Sequence, residues 1–333
     1  MRGWEIDPFS SWLTCFFIEA AALKISLQTG KLVRPIIETR DSLSIEWLKP
    51  TFDLVIGNPP FGRLKLDEKT RNRFKRTLHG HANLYGIFTE LAAELTRTGG
   101  IIAFLTPTSF LAGEYFKNLR SFLSSEAPPI SLDLVELRKD VFEGVLQETI
   151  LATYHKSGKR RASNVTILKP QDKKTVIKER AGSFTLPIES TGPWILPRTS
   201  DNKIFAKSLR LLSTRIGDWG YSISTGPLVW NRFKSQLEDK PSSENIPLIW
   251  AESVSSDGKF SYRSDRRNHR PYFKPRPKKD DWLIVKKGCV LLQRTTAKEQ
   301  RRRLYAAPMP DDFVKANGCL STSHGRRCIK GSK

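Results

Sequence analysis

The chain has 333 residues, 38% of them hydrophobic and 27% charged, enough for two domains with a core each, and it carries a formal net charge of +22. No run of 18 apolar residues occurs, and Glu19 and Lys24 interrupt the most apolar early segment, Trp12 to Leu27, which argues against a spanning helix. The opening Met1-Arg2-Gly3-Trp4 lacks the apolar stretch of a signal peptide, and Cys15, Cys289, Cys319 and Cys328 have neither zinc spacing nor a paired framework, so the sequence reads as cytoplasmic with no metal centre.

Trp4-Glu5-Ile6 reads as the end of a strand. A helix follows over 11–28, with Trp12, Phe16, Ala20 and Leu23 on one stripe and Gly30 as its stop. A short apolar run at 33–38 stops before Asp41, and a strand over 52–57 runs into Asn58-Pro59-Pro60-Phe61. Residues 69–78 form a basic segment, and 83–97 repeat apolar positions at helical spacing and close at Gly99-Gly100. A buried strand at 101–105, a helix at 114–123 and strands at 130–137 and 149–154 complete the series. Strands alternating with helices predict an α/β fold with a parallel, doubly wound sheet and a site at the carboxyl ends of its strands.

Polar, charged connections at 156–161 and 170–178 set a domain boundary, giving a first domain over 1–157 and a second over 158–333. In the second, 201–213 reads as a helix and 247–251, 282–285 and 290–293 as strands. The first 150 residues hold 18 Lys+Arg and 18 Asp+Glu, so the whole excess of +22 falls on the remaining 183. Such an excess suits a polyanion, and double-stranded DNA is the expected partner. Arg266, Arg267, Arg270, Lys274, Arg276, Lys278, Lys279 and Arg301 to Arg303 form the expected phosphate-contacting clusters, with Tyr272 and Phe273 among them.

Chemistry concentrates at Asn58. Two consecutive prolines fix φ and remove two N–H groups, so the chain leaves the strand as a rigid turn whose carbonyls are free to accept. The Asn58 side-chain carbonyl and the Pro59 backbone carbonyl match the two hydrogens of an exocyclic NH₂, and Phe61 offers a face on which a ring can stack.

With this motif in its setting, the first 155 residues resemble the catalytic domain of the gamma-type methyltransferases that modify adenine N6 in DNA within type II restriction-modification systems. The resemblance implies an S-adenosylmethionine-dependent, Rossmann-like sheet with Asn58, Pro59, Pro60 and Phe61 at the catalytic turn. It also implies that Glu5 meets the ribose hydroxyls of the cofactor, Asp41 its adenine, and Phe88 in Asn83-Leu84-Tyr85-Gly86-Ile87-Phe88 packs on that adenine. Phe142 then flanks the flipped base together with Phe61. The second part is similar to the target-recognition regions of larger relatives through Thr225 to Arg232 and Val290 to Thr296.

In such proteins a Gly-rich cofactor loop follows a first, central strand and precedes the counterpart of Glu5. Here the chain starts almost at Glu5, so the expectation is a sheet lacking its first strand, completed by a missing N-terminal segment or by a partner chain. The polar 321–328 stretch likewise suggests a recognition domain cut short, without a closing strand. Two other functions fit parts of the pattern: a non-catalytic DNA-binding remnant, and a protein glutamine methyltransferase, which shares Asn-Pro-Pro-aromatic but has no use for a basic second domain.

Overall fold

The computed structural model describes residues 1–45, 49–136, 148–171, 175–265, 269–286, 288–293, 304–317, 320–321 and 326–331. They form two compact units, Met1–Leu211 and Leu212–Lys333.

The first unit opens with β1 (Arg2–Glu5), α1 (Pro8–Thr29) and β2 (Ile36–Thr39), and the two strands pair in parallel from Arg2↔Ile36 to Glu5↔Thr39. The helix starts three residues earlier than its apolar pattern predicts. Asp7 caps it, accepting from the Ser10 N–H at 2.7 Å, and Pro8 supplies a preset φ at the first helical position. Gly30, at φ 67°, ends it as expected. Its apolar stripe faces outward: Trp12 is 60% exposed and Phe16 53%, and among the described residues of the helix only Ser11 is buried. By length and composition alone, with a mean hydropathy of 1.2, α1 is long and apolar enough to cross a membrane. Two charges, Glu19 and Lys24, do not outweigh its Phe, Leu, Ile and Ala content.

A six-stranded sheet follows. Its elements are β3 (Phe52–Gly57), α2 (Glu68–Arg73), α3 (Leu84–Leu95), β4 (Thr96–Pro107), α4 (Lys117–Glu126), β5 (Pro129–Val135), β6 (Thr149–His155), β7 (Ser163–Pro170) and β8 (Val176–Phe184), and α5 (Asn202–Leu211) closes the unit. The strand order is β3-β4-β6-β5-β7-β8. Only β3–β4 and β5–β7 are parallel; β4–β6, β5–β6 and β7–β8 run antiparallel, so the sheet is mixed rather than parallel. The expected boundary at 157–158 falls inside this sheet, because β7 pairs with β5 and with β8, and Gln171 N–H donates to Thr175 O at 2.9 Å.

Gly99 and Gly100 do not stop the helix, which ends at Leu95 and passes directly into β4. Thr96 Oγ1 donates to Ala92 O at 2.6 Å across that junction. The glycines serve the strand instead: Gly99 takes φ 82°, and a Cβ on Gly100 would lie 2.6 Å from Thr96 Cγ2 and 3.0 Å from Asp53 O. Ile102, Leu132, Ile150, Ala152 and Val165 are fully buried in the sheet, with Leu119 and Leu123 of α4 in the same core. A smaller core gathers Phe74, Ile87 and Leu91 with Trp4 of β1 and Phe52 of β3, whose rings meet edge-on at 6.0 Å. Among the described residues β1 pairs only with β2, and β3, an edge strand, only with β4.

The second unit comprises β9 (Tyr221–Thr225), β10 (Leu237–Glu238), β11 (Ile246–Ile249), β12 (Tyr272–Phe273), β13 (Cys289–Gln293), β14 (Ala306–Pro308), α6 (Asp311–Asn317), β15 (Leu320–Ser321) and β16 (Arg326–Gly331). They form two four-stranded sheets, β10-β12-β11-β15 and β14-β13-β16-β9. Two expectations fail here. Residues 281–283 make a 3₁₀ turn rather than a strand, with Leu283 buried and Trp282 exposed, so their apolar character reflects one anchor and not a pleated face. The end of the chain does supply a strand: β16 lies between β13 and β9, paired with both.

Candidate functional site

Gly57 ends β3 opposite Phe104 of β4. A Cβ there would stand 3.2 Å from the Phe104 ring, so glycine lets the turn leave close to the sheet. Asn58 and Pro60 are exposed, Pro59 is buried and Phe61 half-buried. Among the described residues no hydrogen bond engages the Asn58 amide, which leaves its carbonyl and NH₂ open to a ligand. Beyond Phe61 the chain is fastened to the start of α3: Leu84 N–H donates to Gly62 O at 3.0 Å, and Leu64 N–H to Ala82 O at 3.3 Å.

Sequence reading chose Phe88 from α3 and passed over Tyr85, one turn earlier. Tyr85 is buried, meets Phe61 edge-on at 6.5 Å, stacks on Phe116 at 5.0 Å and shares a hydrogen bond with Ser109 Oγ at 2.9 Å. Burial pushes its phenol well above the usual range, so the hydroxyl stays a neutral hydrogen-bonding group. Its position three residues before Phe88 on a helix was the available signal. Phe88 itself is half-buried against the main core, and Phe142 lies outside the described residues.

Glu5 and Asp41 come together on the other, two-stranded sheet. Glu5 ends β1, its backbone carbonyl accepts from Arg40 N–H at 2.8 Å, and Asp41 is the next residue. Each carboxylate has one oxygen engaged locally, Glu5 with Asp7 N–H at 3.0 Å and Asp41 with Leu43 N–H at 2.9 Å, and a second oxygen with no hydrogen bond among the described residues. Two open acceptors at the carboxyl ends of adjacent parallel strands fit the hydroxyl and amino donors of a nucleoside. The Asn58 turn belongs to the six-stranded sheet, and the two sheets meet through the Trp4–Phe52 contact without strand pairing.

The basic surface needs correction. Arg266, Arg267 and Arg301 to Arg303 lie outside the described residues. Arg270, expected to contact phosphate, donates through Nη1 to Leu237 O at 2.7 Å and stands 3.7 Å from Asp239, with its side chain half exposed. Lys274 pairs with Glu244 at 2.6 Å, and Arg276 forks onto buried Asp280 at 2.8 and 2.9 Å. Asp239, Glu244 and the Leu237 carbonyl are about thirty residues distant from the bases they hold, so a count of local charge could not reveal them. Lys278 and Lys279 are exposed and have no ion pair among the described residues.

The first unit thus places the Asn58 turn at the carboxyl end of β3 in a mixed α/β sheet. Residues 15–142 match the family described as Eco57I restriction-modification methylase. The type II methyltransferase M.BsuBI of Bacillus subtilis is 25% identical over 271 residues, 80% of this chain and 53% of that protein. M.PstI of Providencia stuartii is 26% identical over 297 residues, 83% and 55%. Among solved structures, the Type IIL restriction-modification enzyme MmeI in complex with DNA has a similar fold, with a TM-score of 0.53 at 13% identity over 99% of this chain and 50% of that one. The chain is thus similar to type II restriction-modification methyltransferases, and it spans about half the length of the curated relatives it matches.

Proposed function

We propose that this chain is the catalytic and target-recognition part of a gamma-type DNA methyltransferase that acts on adenine N6 in duplex DNA. The observation that carries this reading is the Asn58 turn, with its exposed amide free of hydrogen bonds among the described residues, beside a ring braced by Tyr85. S-adenosylmethionine supplies an electrophilic methyl group. Asn58 Oδ1 and the Pro59 carbonyl accept the two N6 hydrogens, drawing the conjugated nitrogen toward tetrahedral geometry and localising its lone pair, so no ionised base is needed. Adenine N6 is reached only when the base turns out of the stack, at a few kcal/mol, and Phe61 receives its face with Phe142 as the second flank. Glu5 and Asp41 accept from the ribose hydroxyls and the adenine of the cofactor, and Phe88 packs beside it. The second unit grips phosphates through Lys278, Lys279 and the Arg266-Arg267 pair and reads base edges.

Among the described residues β1 pairs only with β2 and β3 only with β4, so each leaves an outer edge unpaired. The same edges favour a second reading, a DNA-binding form without catalysis. Calorimetry with S-adenosylmethionine and transfer of labelled methyl to duplex DNA separate the two, on this chain and on one extended upstream. Cofactor binding with methyl transfer to duplex DNA supports the first reading, and DNA binding with neither supports the second. In the extended form, Asn58→Ala should lower transfer by about 10²-fold or more while DNA affinity stays nearly constant. Equal losses of transfer and affinity would make Asn58 structural, and an inactive extended form leaves the DNA-binding reading.

A further inference from the structure

In the second unit an open cavity of about 400 Å³ is lined by Ala251, Glu252, Val254, Ser256, Gln293 and Tyr305. Its floor is apolar, since Val254 and Tyr305 belong to the core of that unit, and its polar groups are Glu252, Ser256 and Gln293. Glu252 sits in the 3₁₀ turn after β11 and is held in orientation: its Oε1 lies 2.6 Å from His269 Nδ1, and the His269 ring stacks on Trp250 at 4.0 Å and 2°. Trp250 is fixed in turn, its Nε1 donating to Arg270 O at 2.8 Å. Gln293 ends β13, and its backbone N–H donates to Tyr305 O at 2.9 Å. Among the described residues, Glu252 Oε2 and the whole side-chain amide of Gln293 hold no hydrogen bond.

A braced carboxylate and an amide with no hydrogen bond among the described residues, lining one open cavity, can take the polar edge of a ligand. The carboxylate repels phosphate and the bare carbonyls of guanine O6 and thymine O4, and it accepts from an exocyclic amine. The amide beside it donates and accepts at once, the pattern that pairs with an adenine edge. We propose that Glu252 and Gln293 are base-reading residues of the recognition unit, selecting a nucleobase that presents an exocyclic amine. The assignment rests on the DNA-recognition reading above and adds which side chains discriminate.

The test uses the full chain, a randomised duplex pool, and selection followed by sequencing, for the parent and for Glu252→Gln and Gln293→Ala. Binding to a fixed duplex is measured alongside as a function of salt. Each variant should relax preference at one base pair by roughly 5- to 150-fold, the discrimination of one good side-chain contact, and keep the parent's salt slope. Variants that retain the parent's preference overturn the assignment, as do variants that lose affinity evenly for all sequences. A parent that binds DNA with no preference overturns the recognition reading itself, a result distinct from either. Gln293→Glu, which keeps size and removes the donor, repeats the test if Gln293→Ala is unstable; because the amide both donates and accepts in this assignment, the variant should reject the base the parent selects, and an unchanged preference again overturns the assignment.

Discussion

Removing the Asp280 carboxylate tests whether the basic stretch around Tyr272 is a DNA surface or a clamp. Asp280 is 1% exposed and accepts from Arg276 N–H, Arg276 Nε, Arg276 Nη2 and Gln236 Nε2, all between 2.8 and 2.9 Å. Asp280→Ala orphans these donors, and breaking a buried pair costs about 3–5 kcal/mol. Arg276 is half exposed and rehydrates, which places the expected loss near the lower end, at about 3 kcal/mol. For a unit of this size that corresponds to roughly 10 °C in Tm, readable by calorimetry or by urea unfolding. The pH dependence gives an independent check. Hydrogen bonds from Arg276 hold the Asp280 carboxyl far below the usual range, so its stabilisation is complete above the ordinary carboxylate pKa of about 4 and is lost as pH falls below that value. The variant should therefore lose part of the parent's acid-side slope. Arg276→Gln should destabilise the unit similarly yet leave the salt dependence of DNA binding unchanged. Changing Lys278 and Lys279 to Gln should do the reverse and reduce the log–log slope by up to about 0.9 for each phosphate no longer neutralised. An Arg276 variant of normal stability with a reduced salt slope would refute the clamp.

At the Asn58 turn, Tyr85→Phe loses one partly buried hydrogen bond to Ser109 and should cost about 1 kcal/mol in denaturant unfolding while leaving the ring contact with Phe61, and methyl transfer by the extended form, intact. Tyr85→Ala removes the brace and should cost about 3–5 kcal/mol; normal stacking of a flipped base, read by 2-aminopurine fluorescence, would show that Phe61 needs no support. Gly57→Val places a branched Cβ against the Phe104 ring and should destabilise by about 1–3 kcal/mol and weaken transfer with it, an unchanged unfolding midpoint being the contrary result.

Much of the first unit was legible because its signals are local. Gly30 needs a left-handed conformation, Pro59 and Pro60 exclude a strand, and alternating apolar runs mark β4 to β6; each is a property of a few neighbouring residues. Strand direction was not legible. The sequence between β4 and β5 contains a helix, as a parallel crossover would, yet β6 enters between β4 and β5 and runs against both, a choice made by tertiary pairing. The glycines at 99 and 100 misled for a related reason, since close approach to Asp53 O and a helix stop call for the same residue type.

Charge was read correctly as a total and too generously by residue. The excess of +22 is a property of composition and bears on a polyanionic partner. Whether a given arginine faces that partner depends on acids and carbonyls brought to it by the fold: Arg270 is held by the carbonyl of Leu237, Arg276 by Asp280. The reverse holds for Glu252 and Gln293, which composition would assign to a solvated surface. Only the fold sets one at the turn after β11 and the other at the end of β13, on the same cavity, each with unfilled hydrogen-bonding capacity. A basic domain that binds DNA only through its excess charge would have no need to fix a carboxylate there, since near phosphate an acid weakens binding. An acid braced by His269 and Trp250 in such a domain is therefore better explained by discrimination between bases than by affinity.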